Sequence, residues 1–242
     1  MFMKNHFKGF KQQLIGFSRR QFIVMLLGNM ILALGLALFN QTGSNHPFHT
    51  MFYGAERLLS GVAGGFFSYA NMQIMLNIVL VVVEILFGLK YIGFGAIINM
   101  FLLGYMVTGL TWLLKVLQVE AVIDWMQVFG GDFSALTAGA LVGHVILLLL
   151  ATLVISFGLS LYQAGNMGVA PYDSMALILA DRTKLPFFWC RMICDGLCLV
   201  ATFAVAGDFG LGTIITVFCT GPFIRLFDKV LANKIMAKEK AA

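Results

Sequence analysis

Apolar residues run along this chain in long stretches that are separated by short polar breaks. Six stretches are long enough to cross a bilayer as helices, allowing for tilt, and they cover residues 22–39, 72–88, 92–114, 138–162, 192–206 and 211–227. Two further helix-like segments, 47–59 and 171–180, fall short of the roughly 17 residues that a spanning helix requires. The pattern predicts an all-α polytopic membrane protein.

The second half of the sequence repeats the first. LGLALFNQTGSNHPFHTM, which starts at Leu34, matches FGLSLYQAGNMGVAPYDSM from Phe157, and GFGAIINMFLLG from Gly93 matches GLGTIITVFCTG from Gly210. The matched positions include Gly35 with Gly158, Pro47 with Pro171, His49 with Asp173, Thr50 with Ser174, Gly93 with Gly210 and Gly95 with Gly212. A duplicated unit predicts two pseudo-symmetric repeats. They cover about 22–117 and 138–231 in a single membrane domain, 1–242, with an acidic linker at 118–137.

Each predicted repeat has three long transmembrane helices and one short helix that is either broken or re-entrant. The chain crosses six times if the short helices dip in and return, and eight times if they cross. Both arrangements put most basic residues in the cytoplasm, so the positive-inside rule does not separate them. The linker carries Glu120, Asp124 and Asp132 but no Lys or Arg, which suits the outer face and favours six spans. We therefore expect a bacterial cytoplasmic (inner) membrane protein with both termini in the cytoplasm.

Composition sets the environment and the partners. The chain is 60% hydrophobic and 11% charged, which excludes a soluble globule with a large core. The net charge of +5 comes mainly from the two tails beside membrane segments, so we expect contacts with membrane lipids and none with nucleic acid. The basic N-terminal segment resembles a signal peptide but lacks a small-residue cleavage site, which indicates an uncleaved first span. Whether copies associate into a homo-oligomer stays open.

The polar break in the second repeat predicts a helix that begins inside the membrane. Gly165 and Gly168 permit unusual backbone conformations, and Pro171 suits a first helical turn. We expect Asp173 or Ser174 to cap this helix. Transporters with internal repeats use such half-helix ends to hold substrates or ions. The alternative is an ordinary surface loop followed by a capped helix, although the same break recurs in the first repeat.

A polar stripe follows each break. Gln73, Asn77 and Glu84 lie close to one face of their helix, and at constant offset they match Arg191, Asp195 and Thr202. Ionisable groups at membrane depth usually face a partner, a cavity or an ion pathway. The structural alternative is that Arg191 and Asp195, four residues apart, only pair with each other. The candidate substrate-binding or ion-binding residues are Asn166, Asp173, Ser174, Asp195, Arg191, Asn77, Glu84, Asn45 and His49.

We expect the loop residues and the stripe residues to line one central polar cavity, because only a short stretch of chain separates each break from the span after it. A proton or ion coupled at Asp195 would follow if Arg191 does not occupy its carboxylate.

Other chemistry is weakly supported. Cys190, Cys194 and Cys198 are four residues apart on one helix, but the usual zinc spacing is absent and cysteine is common at membrane helix contacts. We therefore expect no metal, no cofactor and no disulfide framework. Phosphate-loop, serine-hydrolase and metalloprotease motifs are missing from the sequence, so we expect no enzyme.

The second unit resembles a known family. FGLSLYQAGNMGVAPYDSMALILADRTKLPFFWCRMICDGLCLVATFAVAGDFGLGTIIT has the glycine-rich span, the loop before Pro171, the short helix with a basic end and the Asp-bearing span of the YitT/YczE group of bacterial integral membrane proteins. YitT-like members carry a soluble C-terminal domain after their last span, whereas this sequence stops soon after it and is similar to the YczE branch. The first copy departs from the pattern, with TGSNHPFHT in place of a glycine-rich loop. The resemblance implies a fold more than an activity.

Two functions fit the sequence. The first is a small-molecule or ion permease, in which two repeats enclose a polar cavity near the midplane of the membrane. The alternative is an accessory membrane protein that does not transport and that serves assembly or lipid-linked and secondary-metabolite biosynthesis. The sequence does not identify a substrate.

Overall fold

The computed structural model describes residues 16–42, 44, 46–59, 69–117, 138–205, 207 and 210–232. Every regular element in these ranges is helical. The helices are α1 (Arg19–Gln41), α2 (Pro47–Leu59), α3 (Tyr69–Phe87), α4 (Phe94–Val116), α5 (Ala138–Ala164), α6 (Pro171–Thr183), α7 (Phe187–Ala204) and α8 (Leu211–Phe227). A 3-10 turn at Leu89–Tyr91 precedes α4, and a π-helical turn at Asp228–Ala232 follows α8.

The prediction of an all-helical membrane protein is confirmed. Five helices, α1, α4, α5, α7 and α8, contain segments long and apolar enough to cross a membrane. α3 has 19 residues, and its described part, Met75–Phe87, is apolar. α2 and α6 have 13 residues each, which at 1.5 Å per residue is about 20 Å against a hydrocarbon core of about 30 Å. The acidic linker at 118–137 lies outside the described residues.

Local sequence explains where the first helix begins. Ser18 precedes α1, its hydroxyl accepts a hydrogen bond from the Gln21 backbone N–H at 3.2 Å, and the Ser18 N–H donates to the Gln21 side chain at 2.8 Å. This reciprocal pair is a capping box, and it satisfies two donors at the start of a helix.

Glycines bring the backbones of α1 and α5 close together. A Cβ atom added to Gly35 would lie 2.7 Å from the Ile155 nitrogen, and one added to Gly158 would lie 2.4 Å from the Leu32 nitrogen. Small residues let membrane helices pack backbone to backbone. Gly35 and Gly158 are therefore close-packing points between the two helices, whereas Gly104 has no neighbouring atom within 4 Å of an added Cβ.

The short helices pack on long helices of the other half of the chain, where the first half is α1–α4 and the second half is α5–α8. α2 lies against α7, and α6 lies against α3 as well as α7. The Thr50 hydroxyl on α2 is 2.9 Å from the Thr202 hydroxyl on α7. At the matched position on the other side, Ser174 on α6 is hydrogen-bonded to Glu84 on α3.

Backbone hydrogen bonds join the loop before α6 to the turn before α4. The Val169 N–H donates to the Tyr91 carbonyl at 2.8 Å, and the Gly95 N–H donates to the Met167 carbonyl at 2.6 Å. Gly168 has a φ of +99°, a conformation that favours glycine, and a Cβ there would meet the Gly93 nitrogen at 2.4 Å. The glycine at this position is therefore required both by its backbone angle and by its neighbour.

Candidate functional site

A cavity of about 590 Å³ lies between the two halves of the chain. The first half contributes residues of α1, α2, α3 and α4 to its wall, and the second half contributes residues of α5, α6 and α7. The polar lining residues are Asn40, His46, His49, Asn77, Asn99, Thr108, Tyr172, Asp173 and Arg191, and the rest of the wall is mainly Leu, Ile, Met and Val. An apolar chamber with a few convergent polar groups is the usual form of a small-molecule site.

Arg191 connects the two acidic residues of the second half. Its Nη1 lies 2.5 Å from Asp173 Oδ1, and its Nε lies 3.1 Å from Asp195 Oδ2. The side chain of Arg191 is only 2% exposed and that of Asp195 is fully buried. The pairing of Arg191 with Asp195 follows from their spacing in sequence, but the bridge to Asp173 on the short helix does not.

Two tyrosines, the buried Tyr162 and the half-buried Tyr172, occupy the remaining carboxylate oxygens. The Tyr162 hydroxyl donates to Asp173 Oδ2 at 2.5 Å, and the Tyr172 hydroxyl donates to Asp195 Oδ1. The Arg191 guanidinium also lies over the Tyr172 ring, with Cζ 4.8 Å from its centroid. We name Asp173, Arg191, Asp195, Tyr162 and Tyr172 the arginine cluster. With both carboxylates ionised it carries one net negative charge, and each buried charge has a partner, as buried ions require.

The start of α6 differs from the sequence expectation. Its N-terminal flanking residue is Ala170, and no side chain caps the first turn. Capping by Asp173 or Ser174 was therefore the wrong prediction. The Asp173 carboxylate turns to Arg191 instead, and the Ser174 hydroxyl donates to the Pro171 carbonyl at 2.8 Å.

The first half supplies aromatic and histidine side chains to the same place. The Phe48 ring packs on the Tyr172 ring at 4.2 Å between centroids, and the His46 ring meets Tyr172 edge-on at 6.2 Å. His49 lies beside both His46 and Phe48 and lines the cavity. The N-terminal ends of α2 and α6 therefore converge on one cavity, as the matched breaks in the sequence predict.

Glu84 has the poorest set of partners among the buried acidic residues that the structure describes. Its side chain is 1% exposed, its Oε1 has no hydrogen-bond partner, and its carboxyl group is hydrogen-bonded to Ser174. Lys90, its nearest cation in sequence, binds Asp181 at 2.6 Å instead.

The structure brings together some of the predicted site residues and not others. Asp173, Arg191, Asn77 and His49 line the cavity, and Ser174, Asp195 and Glu84 are buried close behind it. Asn166 is exposed, adopts a φ of +50° in the loop before α6 and does not contribute to the cavity wall. Asn45 lies outside the described residues.

Sequence reasoning missed several polar residues of the site. Tyr162 and Tyr172 flank the glycine-rich loop, and their hydroxyls bind Asp173 and Asp195. The sequence alone does not show which groups these hydroxyls contact. Asn99 donates to Asn29 at 2.7 Å between α4 and α1. A lone asparagine in an apolar run is a signal of an interhelical contact, so the sequence around Asn99 could have predicted this hydrogen bond.

Comparison with known proteins gives relatives but no activity. A model described as a family of unknown function (DUF6198) matches residues 19–229. The chain is 24% identical over 131 residues to "Uncharacterized membrane protein YczE" of Bacillus subtilis (strain 168), a match that covers 54% of the chain and 51% of that relative. It is 20% identical over 218 residues to "Uncharacterized protein YyaS" of the same strain, covering 88% and 95%. No solved structure matches the chain. The resemblance to the YczE group is confirmed.

Proposed function

This chain belongs to the family of unknown function DUF6198 and is a multi-pass membrane protein, and we propose that it is a small-molecule or ion permease. The observation that carries the proposal is the cavity of about 590 Å³, with Tyr172, Asp173 and Arg191 of the arginine cluster in its wall. A buried network of charges in a membrane bundle is costly unless it serves a pathway or a site. A permease gives these groups a purpose, whereas an accessory protein has little reason to keep them.

The position of the cavity supports this proposal. Gly104 in its wall is next to the midpoint of α4, and Leu32 and Ile155 are close to the midpoints of α1 and α5. If these helices span the membrane, the cavity lies near the midplane, where transporters with internal repeats hold their substrates.

Two-fold matching of contacts supports two pseudo-symmetric repeats. In a two-fold interface, if residue i contacts residue j, the equivalent of j contacts the equivalent of i. At an offset of 123 residues, Gly35 matches Gly158 and Leu32 matches Ile155. Gly35 packs against Ile155, and Gly158 packs against Leu32, as this rule requires. The pairs Gly95 with Met167 and Gly212 with Ser44 follow the same rule, as do Thr50 with Thr202 and Ser174 with Glu84.

This arrangement leads to a specific topology, which belongs to the proposal. Each repeat crosses the membrane three times, and its short helix begins at the cavity in the protein interior. The chain crosses six times, with both termini in the cytoplasm of a bacterium and the linker at 118–137 outside. Reporter proteins fused at the two termini and within the linker would test the orientation.

Uptake into proteoliposomes tests the transport proposal. We would reconstitute the full chain, add a pooled panel of amino acids, amines, sugars and organic acids, and analyse the vesicle contents by mass spectrometry. Asp173→Asn removes the negative charge from the cavity wall at constant shape, and Thr183→Val is the matched control, since Thr183 is exposed at the end of α6. We expect a solute that accumulates with the wild-type chain and with Thr183→Val.

For Asp173→Asn we expect a reduction of at least about tenfold in the uptake rate, equivalent to about 1.4 kcal/mol. If no panel solute and no tracer cation or anion enters above empty vesicles, the permease proposal fails and the accessory alternative stands in its place.

A further inference from the structure

The Glu84 carboxyl group is buried next to the cavity without a cation. Arg191 is bound to both Asp173 and Asp195, and Lys90 is bound to Asp181. An isolated carboxylate in an apolar interior is strongly disfavoured, and such a group takes up a proton instead. Among the described residues, therefore, no basic side chain stabilises an ionised Glu84.

The Ser174 hydroxyl is shared between two acceptors. It is hydrogen-bonded to the Glu84 carboxyl group and lies 2.8 Å from the Pro171 carbonyl, although it has only one hydrogen to donate. One shared hydroxyl does not balance the charge of a buried carboxylate.

Among the described charges, the one that acts on Glu84 also disfavours its ionised form. Asp173 on α6 is negatively charged and acts electrostatically on Glu84. The other helix that packs on α3 is α2, whose titratable or charged described residues are His49, in the cavity wall, and Glu56 and Arg57 toward the far end of the helix.

We propose that Glu84 is a proton-binding site of this protein, neutral in the present structure, which exchanges its proton with the cavity. The inference rests on the proposed function for its role, since a permease would use this proton as its coupling ion. Asn77 is seven residues before Glu84 on the same face of α3 and lines the cavity, and Ser174, which is hydrogen-bonded to Glu84, directly follows Asp173 of the cavity wall. On release, the Glu84 O–H bond breaks, the electron pair stays on the carboxylate, and the proton passes to water or solute in the cavity.

The structure also explains why Asp195 is not this site. Arg191 and the Tyr172 hydroxyl hold its two oxygens. Its matched partner across the repeat is Asn77, and the matched partner of Glu84 is Thr202. The two repeats therefore differ chemically: one carries an ion-paired cluster, and the other carries a single carboxyl group that can gain and lose a proton.

Infrared spectroscopy of the reconstituted full chain detects the proton directly. At neutral pH we expect the C=O stretching band of a protonated carboxyl group, with loss of that band as the pH is raised. Glu84→Gln should remove the band and leave thermal stability nearly unchanged, because glutamine has the shape and charge of the protonated acid. Glu56→Gln is the matched control and should keep the band. Glu84→Asp should keep a band at a shifted frequency or midpoint.

Two results would overturn the inference: no protonated-carboxyl band at neutral pH in the wild-type chain, or an unchanged band in Glu84→Gln. If uptake of a solute is found, its rate in Glu84→Gln should lose its dependence on an imposed pH gradient, and retention of that dependence would overturn the coupling role. If no solute is taken up but the band depends on Glu84, the permease proposal fails and the proton site stands.

Discussion

The hydroxyl oxygens of Thr50 and Thr202 lie 2.9 Å apart and join the short helix of the first half to a long helix of the second. Both side chains are fully buried. The pair at the matched sequence positions is Ser174 with Glu84, so each short helix carries a hydroxyl that contacts the opposite half of the chain. Each short helix is therefore held in part by the half to which it does not belong.

This contact predicts a measurable coupling. In a double-mutant cycle of Thr50→Val and Thr202→Val, we expect an interaction free energy of about 0.6 kcal/mol, typical of hydrogen bonds between membrane helices. Thermal or denaturant unfolding in detergent would measure it. A cycle that pairs Thr50→Val with Thr108→Val, which is on α4 and bonds to the Gly104 carbonyl, should give no coupling. An additive Thr50/Thr202 cycle would show that the hydroxyl pair does not hold α2.

The glycines between α1 and α5 predict a second set of effects. Gly35→Ala and Gly158→Ala would place a methyl group 2.7 Å and 2.4 Å from backbone nitrogens of the facing helix, so each should destabilise the protein by about 1–3 kcal/mol. Gly196→Ala on α7, where an added Cβ meets no atom within 4 Å, is the control. It should be neutral or slightly stabilising, because alanine favours helix over glycine. Equal effects at the three positions would show that the glycine contacts between α1 and α5 do not stabilise the fold.

The arginine cluster predicts an asymmetry between single and combined substitutions. Arg191→Met leaves two buried carboxylates without their cation and should destabilise the protein by about 3–5 kcal/mol. Adding Asp173→Asn and Asp195→Asn removes the stranded charges, so the triple variant should recover much of that loss. The fraction of monodisperse protein after heating in detergent, followed by size-exclusion chromatography, measures both. A triple variant as unstable as Arg191→Met would mean that shape, not charge, decides the effect.

The surface contact at the end of α6 predicts a weak dependence on pH. Although partial burial opposes the shift, hydrogen bonds from Lys90 and Tyr91 lower the pKa of Asp181 below its ordinary value. A carboxyl group with a lowered folded-state pKa stabilises the fold above its ordinary pKa, and that contribution is lost as the pH falls through the lowered value.

Asp181→Asn should therefore reduce stability at neutral pH, by less than about 1 kcal/mol because exposed ion pairs are weak. The difference from wild type should shrink as the pH approaches the acid range and as salt is raised. Melting curves across pH at low and high ionic strength would measure it. A difference that stays constant with pH would assign the effect to packing of Asp181 and not to its charge.

The sequence predicted the helices well because membrane spans are apolar over their whole length. The first short helix is where the pattern put it, at Pro47–Leu59, and α6 ends at Thr183, three residues beyond the predicted segment. The end of α6 was missed because Asp181 and Arg182 read as a polar boundary. Local pattern does not show that Lys90 and Tyr91 bind Asp181 and that the helix continues to meet them.

The sequence predicted which residues form the site better than it predicted which of their side chains bind each other. Matched positions in the two repeats pointed to Asp173, Arg191 and Glu84, because ionisable residues at membrane depth stand out from an apolar background. Which carboxylate Arg191 reaches depends on how α6 lies against α7, and that follows from packing between distant segments. Asn166 is exposed and adopts a left-handed backbone conformation in the loop before α6, and its role in the site stays a prediction.

The contact between residues 167–169 and residues 91–95 limits how the two halves of the chain can move relative to each other. Two backbone hydrogen bonds and the contact of Gly168 with Gly93 join them there. Where water is scarce, a broken backbone hydrogen bond costs several kcal/mol. If one half rocks against the other during transport, residues 167–169 and 91–95 move together, and the larger displacements between the halves fall elsewhere.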